Sequence, residues 1–155
     1  MEIKIRKANP EDFEKIRELN MLLFKNDSQF GDTLNMNWPL KNEDYYRNHI
    51  KSEHSCVLLA FVENKIIGYL IGAVAEPETY RRLENIAELE NMFTLEGYRS
   101  LGIGSKLVEE FKKWCKSKGL KRIRAIAHVK NIDAIKFYKN QGFREHILTL
   151  ESNID

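Results

Sequence analysis

Cysteines, prolines and long apolar runs are all scarce in this chain, and each scarcity removes a class of protein. The two cysteines, Cys56 and Cys115, lie far apart and form no CxxC or His-containing metal spacing. Neither a disulfide scaffold nor a metal site is expected. Both thiols sit among apolar neighbours, which suits reduced, buried side chains in a cytoplasmic protein. No segment approaches the ~20 apolar residues that cross a bilayer, and the opening "MEIKIRKANP" lacks the apolar centre of a secretion signal. Three prolines and eight glycines leave no Pro-rich or Gly/Ser linker, and no repeat or low-complexity tract is present. A single domain over residues 1–155 is expected, long enough for one sizeable core.

The composition, 43% hydrophobic and 31% charged, is that of a folded globular chain rather than a disordered one. The net charge of +2 is uninformative, but its distribution is not. Lys106 to Arg124 holds eight basic residues against Glu109 and Glu110, whereas Glu76 to Glu96 holds six glutamates against Arg81 and Arg82. A charge run is ordinarily a solvated helix face, although a basic stretch behind a glycine turn also attracts anions.

Periodicity then orders the chain. "IKIRKA" alternates and reads as a strand; Asn9, Pro10 and the acidic Glu11 and Asp12 open a helix whose Phe13, Ile16, Leu19 and Leu23 share a face. A loop and a second helix in "KNEDYYRNHIKSE" follow. "CVLLAFVENKIIGYLIGAVAE" is a hairpin turning at Glu63-Asn64-Lys65. "PETYRRLENI" connects it to a strand over 87–96. A helix over 104–118 carries the stripe Leu107, Val108, Phe111, Trp114 and Cys115, and a strand over 122–129 follows it. A short helix capped by Asn131 and a last strand in "FREHILTLE" close the order β-α-α-β-β-β-α-β-α-β. The fold class is α/β with a mixed sheet, containing one right-handed parallel crossover.

The turn "YRSLGIGSKLVEEF" joins a strand to a helix through Gly102 and Gly104. It is not a phosphate loop of the Walker type, because Gly104-Ser105-Lys106 stands where Gly-Lys-Ser/Thr is needed. A dinucleotide fingerprint fails as well, since Leu107 occupies the third glycine's place and Lys130, not an acid, follows the next strand. What remains is a helix N-terminus with unpaired N–H groups, which suits an anion. Two glycines at such a turn also serve purely steric ends.

A second stretch, "HVKNIDAIKFYKNQGF", contains Asn131, Ala134, Phe137-Tyr138 and Gly142-Phe143. Together the two stretches resemble the GNAT superfamily of acetyl-CoA-dependent N-acetyltransferases, whose members show Tyr-Arg-Gly-x-Gly-Ile-Gly and then Asn-x-x-Ala-x-x-Phe-Tyr-x-x-x-Gly-Phe. The order of elements matches that fold over essentially the whole chain, with a splayed parallel strand pair at its centre. Ser100 replaces the family's usual glycine, Glu96 its proline and Thr94 its valine.

The resemblance implies acetyl transfer from acetyl-CoA, as co-substrate, to a primary amine by direct attack in a ternary complex. Pantetheine would pair with the backbone of Met92, Phe93 and Thr94, the strand splaying after about Met92. The pyrophosphate would sit on Arg99, Ser100, Leu101, Gly102, Ile103, Gly104 and Ser105. The amine must lose a proton, and Glu90, nine residues before Arg99, matches a glutamate that acts as general base, often through water; Glu88 is the weaker choice. Simple alternation places Leu89 and Phe93 on one face and Glu88, Glu90 and Met92 on the other. Tyr138 matches the general acid toward the departing thiolate, and Asn131 caps its helix while bordering the cofactor. His128 borders the cleft without an assigned role. Trp38, Tyr45, Tyr46 and Asp32 are expected around the acceptor, a small-molecule or peptide amine. Family members are frequently dimers. Two other readings stand beside this one: a non-catalytic acyl-CoA-binding sensor, and, more weakly, nucleic-acid binding through Lys106–Arg124.

Overall fold

A computed structural model describes residues 1–82 and 85–155. Two apolar runs dominate it, strands β2 (Ser55–Val62) and β3 (Lys65–Ala75), paired antiparallel across the two-residue turn Glu63-Asn64. Because successive side chains of a strand point to opposite faces, such runs need cover on both sides. On one face Cys56, Leu58, Ala60, Val62, Ile67 and Leu70 join a core closed by helix α4 (Ile103–Ser117). On the other face Val57, Leu59, Tyr69 and Ile71 pack against helices α1 (Phe13–Asp27) and α3 (Glu43–Lys51). The expected stripe of α4, Leu107, Val108, Phe111, Trp114 and Cys115, is wholly buried.

The sheet has the order β1-β2-β3-β4-β5, with β1 at Ile3–Lys7, β4 at Ile86–Thr94 and β5 at Arg122–Ala125. The first four strands are antiparallel to their neighbours, and β4–β5 is parallel around α4, as the crossover requires. Helix α5 (Ile132–Asn140) follows, and a four-residue helix α2 (Trp38–Lys41) lies in the irregular stretch before α3. Asn9 caps a short 3-10 turn, Pro10–Asp12, rather than α1 itself; its side chain accepts from the Glu11 N–H while Asp12 accepts from the Asn9 N–H. Arg6 clamps the same Asp12 with bonds of 2.8 and 3.0 Å.

Three expectations need correction. The strand expected over 122–129 stops at Ala125, because β4, its only strand neighbour among the described residues, pairs with it no further than Leu89. The expected last strand in "FREHILTLE" is absent: residues 143–151 carry no ladder partner among the described residues and adopt no regular element. The connecting loop "PETYRRLENI" includes Leu83 and Glu84, which lie outside the described residues, and its last residue, Ile86, already belongs to β4.

Candidate active site

The side chains of β4 do not alternate as a regular strand would. Its register against β3 steps from Ile71–Asn91 to Gly72–Leu89, so Glu90 is an extra residue without a partner. Such a bulge turns two neighbouring side chains toward one face. Leu89 and Met92 consequently pack on the α4 side, whereas Phe93 joins the α1/α3 core. This corrects the expected common face of Leu89 and Phe93. Glu90 and Asn91 both reach a cleft of about 460 Å³, bordered also by Glu88, Asn20, Leu23, Phe24, Asp27, the 33–35 loop, Trp38 and Tyr45. Trp38 and Tyr45 therefore stand where the sequence suggested. Tyr46 is instead fully buried core, and Asp32 is exposed and does not border the cleft.

Both oxygens of Glu90 are engaged. The Tyr45 hydroxyl donates to Oε1 at 2.9 Å, and His49 Nε2 lies 2.9 Å from Oε2. His49 Nδ1 is 2.7 Å from the Tyr45 carbonyl oxygen. Both ring nitrogens thus face acceptors, an arrangement satisfied when both carry hydrogen. Burial alone would lower the His49 pKa, but the Glu90 hydrogen bond and charge, with the Tyr45 carbonyl, raise it above its ordinary value. Tyr45 is held as a phenol by burial and by the Glu90 charge, which raise its pKa. Behind it Asn91 donates to the Tyr45 hydroxyl at 2.9 Å, and Asn20 donates to Tyr69 at 2.7 Å while accepting from Tyr46. This buried polar chain locks the wall of the cleft, since each member would be costly to leave unpaired.

The other two carboxylates of the cleft differ. Glu88 is bonded to Arg124 at 2.8 Å, so its charge is already balanced. Among the described residues the Asp27 carboxylate accepts only from the Asn26 amide, at 3.2 Å, and burial raises its pKa against the smaller opposing effects of Asn26, Arg99 and His128. His128 stacks on Phe30 at 6.2 Å, and the space where a Gly31 side chain would stand is filled by its ring. The loop after α1 thereby rests on the stretch that follows β5.

Across the sheet lies the second half of the site. The β4–β5 ladder ends at Leu89 and Ala125, so the strands part there rather than at Met92. Met92, Phe93 and Thr94 keep their pairing with β3 and, among the described residues, have no strand on the other side. Gly102 (φ 83°) precedes α4 in the left-handed region, and no side chain caps this helix. The first N–H groups of an α-helix have no intrahelical acceptor, so an uncapped start such as this one presents free donors. Ser100, the family's glycine position, also takes a left-handed φ of 64°. Gly104 has a steric cause: a Cβ there would lie 3.1 Å from the Phe137 ring. Arg99 is exposed, its Nε held on the Thr94 carbonyl at 3.1 Å and its guanidinium over Phe93. Leu101 is exposed, Ile103 is buried, and Ser105 accepts from Gln141 at 2.9 Å. Asn131 caps α5 by accepting from the Ala134 N–H at 3.1 Å. Tyr138 packs between Phe137 and Phe143, and burial, with a lesser contribution from Asp27, pushes its pKa up to about 12. An open strand edge beside an uncapped helix start is a fitting receptor for an extended ligand ending in phosphates.

Sequence reasoning missed His49, Asp27 and Asn91. A signal existed for His49, since Tyr45 and His49 at i, i+4 share a helix face. None existed for Asp27, the last residue of α1, or for the bulge.

Comparison with known proteins bears on this arrangement. The profile described as "Acetyltransferase (GNAT) family" matches residues 14–143. A streptothricin acetyltransferase of Escherichia coli is 26% identical over 101 residues, covering 65% of this chain and 54% of that protein. The chain thus spans about half the length of this curated relative. Among solved structures, the BH1408 protein of Bacillus halodurans superposes with a TM-score of 0.85 at 23% identity, over 97% of this chain and 99% of its own. The aminoglycoside 6'-N-acetyltransferase AAC(6')-Ih of Acinetobacter baumannii gives 0.76 at 20% identity, over 99% and 100%. AAC(6')-Iy, solved with a bisubstrate analogue of CoA and acetylneamine, gives 0.74 at 17%, over 99% and 100%. At these identities the structural likenesses establish the fold.

Proposed function

Taking as premise that this chain belongs to the GNAT acetyltransferase family, we propose that it is a cytoplasmic enzyme acetylating a primary amine of a small, polycationic acceptor. One observation carries the reading. The bulge sets Glu90 in the cleft at the point where β4 loses β5, between an acidic, aromatic pocket and an open strand edge.

Acetyl-CoA, when bound, supplies an acetyl group activated as a thioester. Met92, Phe93 and Thr94 would hold its extended arm with their backbone groups. The segment from Arg99 to Ser105 would hold its phosphates at the start of α4, and Asn131 and Tyr138 would border it. Glu90 takes the proton of the acceptor ammonium, directly or through water, and His49 and Tyr45 fix the carboxylate's orientation. Glu88, neutralised by Arg124, is the weaker base. Asp27, Glu88 and Glu90, with Trp38 and Tyr45, favour an acceptor with more than one amine. The antibiotic substrates in the relatives' names are of this kind.

Tyr138, expected as the general acid, is read here as a donor toward the departing sulfur. A phenol near 12 is a weaker acid than a thiol, with a reference pKa of about 8.5. Tyr138 therefore serves best as a hydrogen-bond donor to the departing sulfur, keeping its proton at Oη.

The test is thiol release from acetyl-CoA against streptothricin, aminoglycosides, polyamines, amino acids and a lysine peptide. Turnover is expected with the polyamino compounds. Thermal stabilisation by acetyl-CoA without turnover on any amine would favour the sensor reading instead.

A further inference from the structure

One side chain in the buried face of α1 is out of character with its neighbours. Phe13, Ile16 and Leu19 fill that face with apolar groups, yet Asn20 beside them is an amide only 1% exposed. Packing alone asks for nothing polar there, and a buried amide is costly unless its atoms find partners. Asn20 finds them on three other elements. Its Nδ2 donates to Tyr69 Oη of β3 at 2.7 Å and to Asn91 Oδ1 of β4 at 3.4 Å, while its Oδ1 accepts from the Tyr46 hydroxyl of α3.

These bonds have a direction. A hydroxyl can donate or accept and an amide can be turned over, but the Glu90 carboxylate only accepts. Tyr45 has a single hydroxyl proton and gives it to Glu90 Oε1 at 2.9 Å. Its oxygen must then receive from its other neighbour, and Asn91 Nδ2 donates there at 2.9 Å. An amide that turns its NH2 to Tyr45 turns its oxygen the other way, to Asn20, where only an N–H fits. The run from Tyr46 through Asn20, Asn91 and Tyr45 to Glu90 therefore points every proton one way, from the core toward the cleft. Turning the Asn91 amide over would set NH2 against NH2 at Asn20. It would also put an oxygen against Tyr45, which would then donate to Asn91 instead of Glu90. The β4 bulge makes the run possible, since it brings Asn91 to the same side as Glu90.

We propose that Asn20 is a positioning residue for acetyl transfer, holding the Asn91 amide so that Tyr45 keeps its hydroxyl proton on Glu90. It acts through two intervening side chains and needs no contact with the acceptor. Its effect on rate rests on the reading of Glu90 as the base; its effect on the Tyr45 proton does not.

Asn20→Leu keeps the branched shape and removes the amide, which frees Asn91 to turn. The Cζ carbon of Tyr45, labelled with carbon-13 and identified by its loss in Tyr45→Phe, lies downfield while the hydroxyl donates to an anion. In Asn20→Leu it should move upfield. The kcat for a polyamino acceptor should fall about tenfold or more, the effect of losing a hydrogen bond to a charged group, with acetyl-CoA affinity unchanged. Asn20→Leu/Tyr45→Phe should be no slower than the slower single variant, because both remove the same bond; a merely structural loss at Asn20 would multiply with the other. Retained helical circular dichroism marks a variant as folded. Asn91→Asp removes the N–H that Tyr45 receives and leaves α1 intact, so it should show the same upfield shift and lower kcat even where Asn20→Leu does not fold. A folded Asn20→Leu with an unmoved Tyr45 Cζ overturns the proposal whatever its rate, and so do multiplying rate losses. A wild-type kcat in Asn20→Leu overturns it too: where Glu90→Gln is slow, the base survives without its positioning residue, and where Glu90→Gln is fast, both readings fall.

Discussion

Replacing Glu90 by glutamine separates proton transfer from everything else this side chain does. Glutamine keeps the shape and an oxygen for the Tyr45 hydroxyl, so the bulge and the buried polar chain behind it are retained. Its amide presents a donor toward His49 Nε2, which turns that ring neutral and leaves Nδ1–H on the Tyr45 carbonyl. The base is lost, and with it the charge that raises the His49 pKa. A positioned general base contributes about 10²–10⁴ in rate, so kcat/KM for a polyamino acceptor should fall by that factor, roughly 3–5 kcal/mol of barrier. Thermal stabilisation by acetyl-CoA should be unchanged. Stability adds an independent readout. His49 has a folded pKa above its ordinary 6.5, so its contribution is complete below the unfolded value and is lost as pH rises through the folded one. In Glu90→Gln the two strongest raising influences disappear, and this loss of stability with rising pH should flatten. A variant within twofold of wild-type turnover, with the wild-type pH dependence of Tm, would refute the assignment.

Tyr138→Phe should lower kcat about tenfold or more, the effect of removing a hydrogen bond made mainly in the transition state, with little change in acetyl-CoA affinity; unchanged kcat would remove Tyr138 from the chemistry. Gly72→Ala should destabilise by about 1–3 kcal/mol or more through overpacking, because a Cβ there would lie 2.3 Å from the buried Phe111 ring; thermal unfolding reads this, and a Tm within a degree of wild type would contradict it. Ser100→Gly should relieve a left-handed backbone worth about 1 kcal/mol, less the entropy gained by the unfolded chain, and should leave acetyl-CoA binding intact; a clear loss of Tm would show that the Ser100 side chain holds the turn.

The family profile over residues 14–143 sets the family, and the particulars of this chain lie in how its cleft is furnished. The buried stripe of α4, the β2–β3 hairpin and the glycine turn were legible because each is a local pattern with one physical outlet. The stripe must be covered, the alternation must pair, and a strand must meet a helix through an open backbone. Asn131 and Asn9 were legible as caps for the same reason. The two glycines of the turn resolved into different causes, a left-handed backbone at Gly102 and the Phe137 ring at Gly104.

The direction of Glu90 could not be read this way, since a bulge is set by the register of the partner strand and not by β4 alone. Tyr45 and Tyr46 are neighbours of one type, yet one lines the cleft and one fills the core, because α3 presents a single edge to each. Asp27 entered the site only when the end of α1 was brought beside β4, and His49 only when α3 was laid across Glu90. By itself, then, the sequence determined the elements as far as α4 and the helix after Asn131, the two motifs and the family, all of which depend on neighbours along the chain, but not the extent of the last strands. Tertiary structure decided which carboxylates border the cleft, what each of them is bonded to and where the parallel strands part. Those are properties of distances between segments, which pairing and packing alone establish.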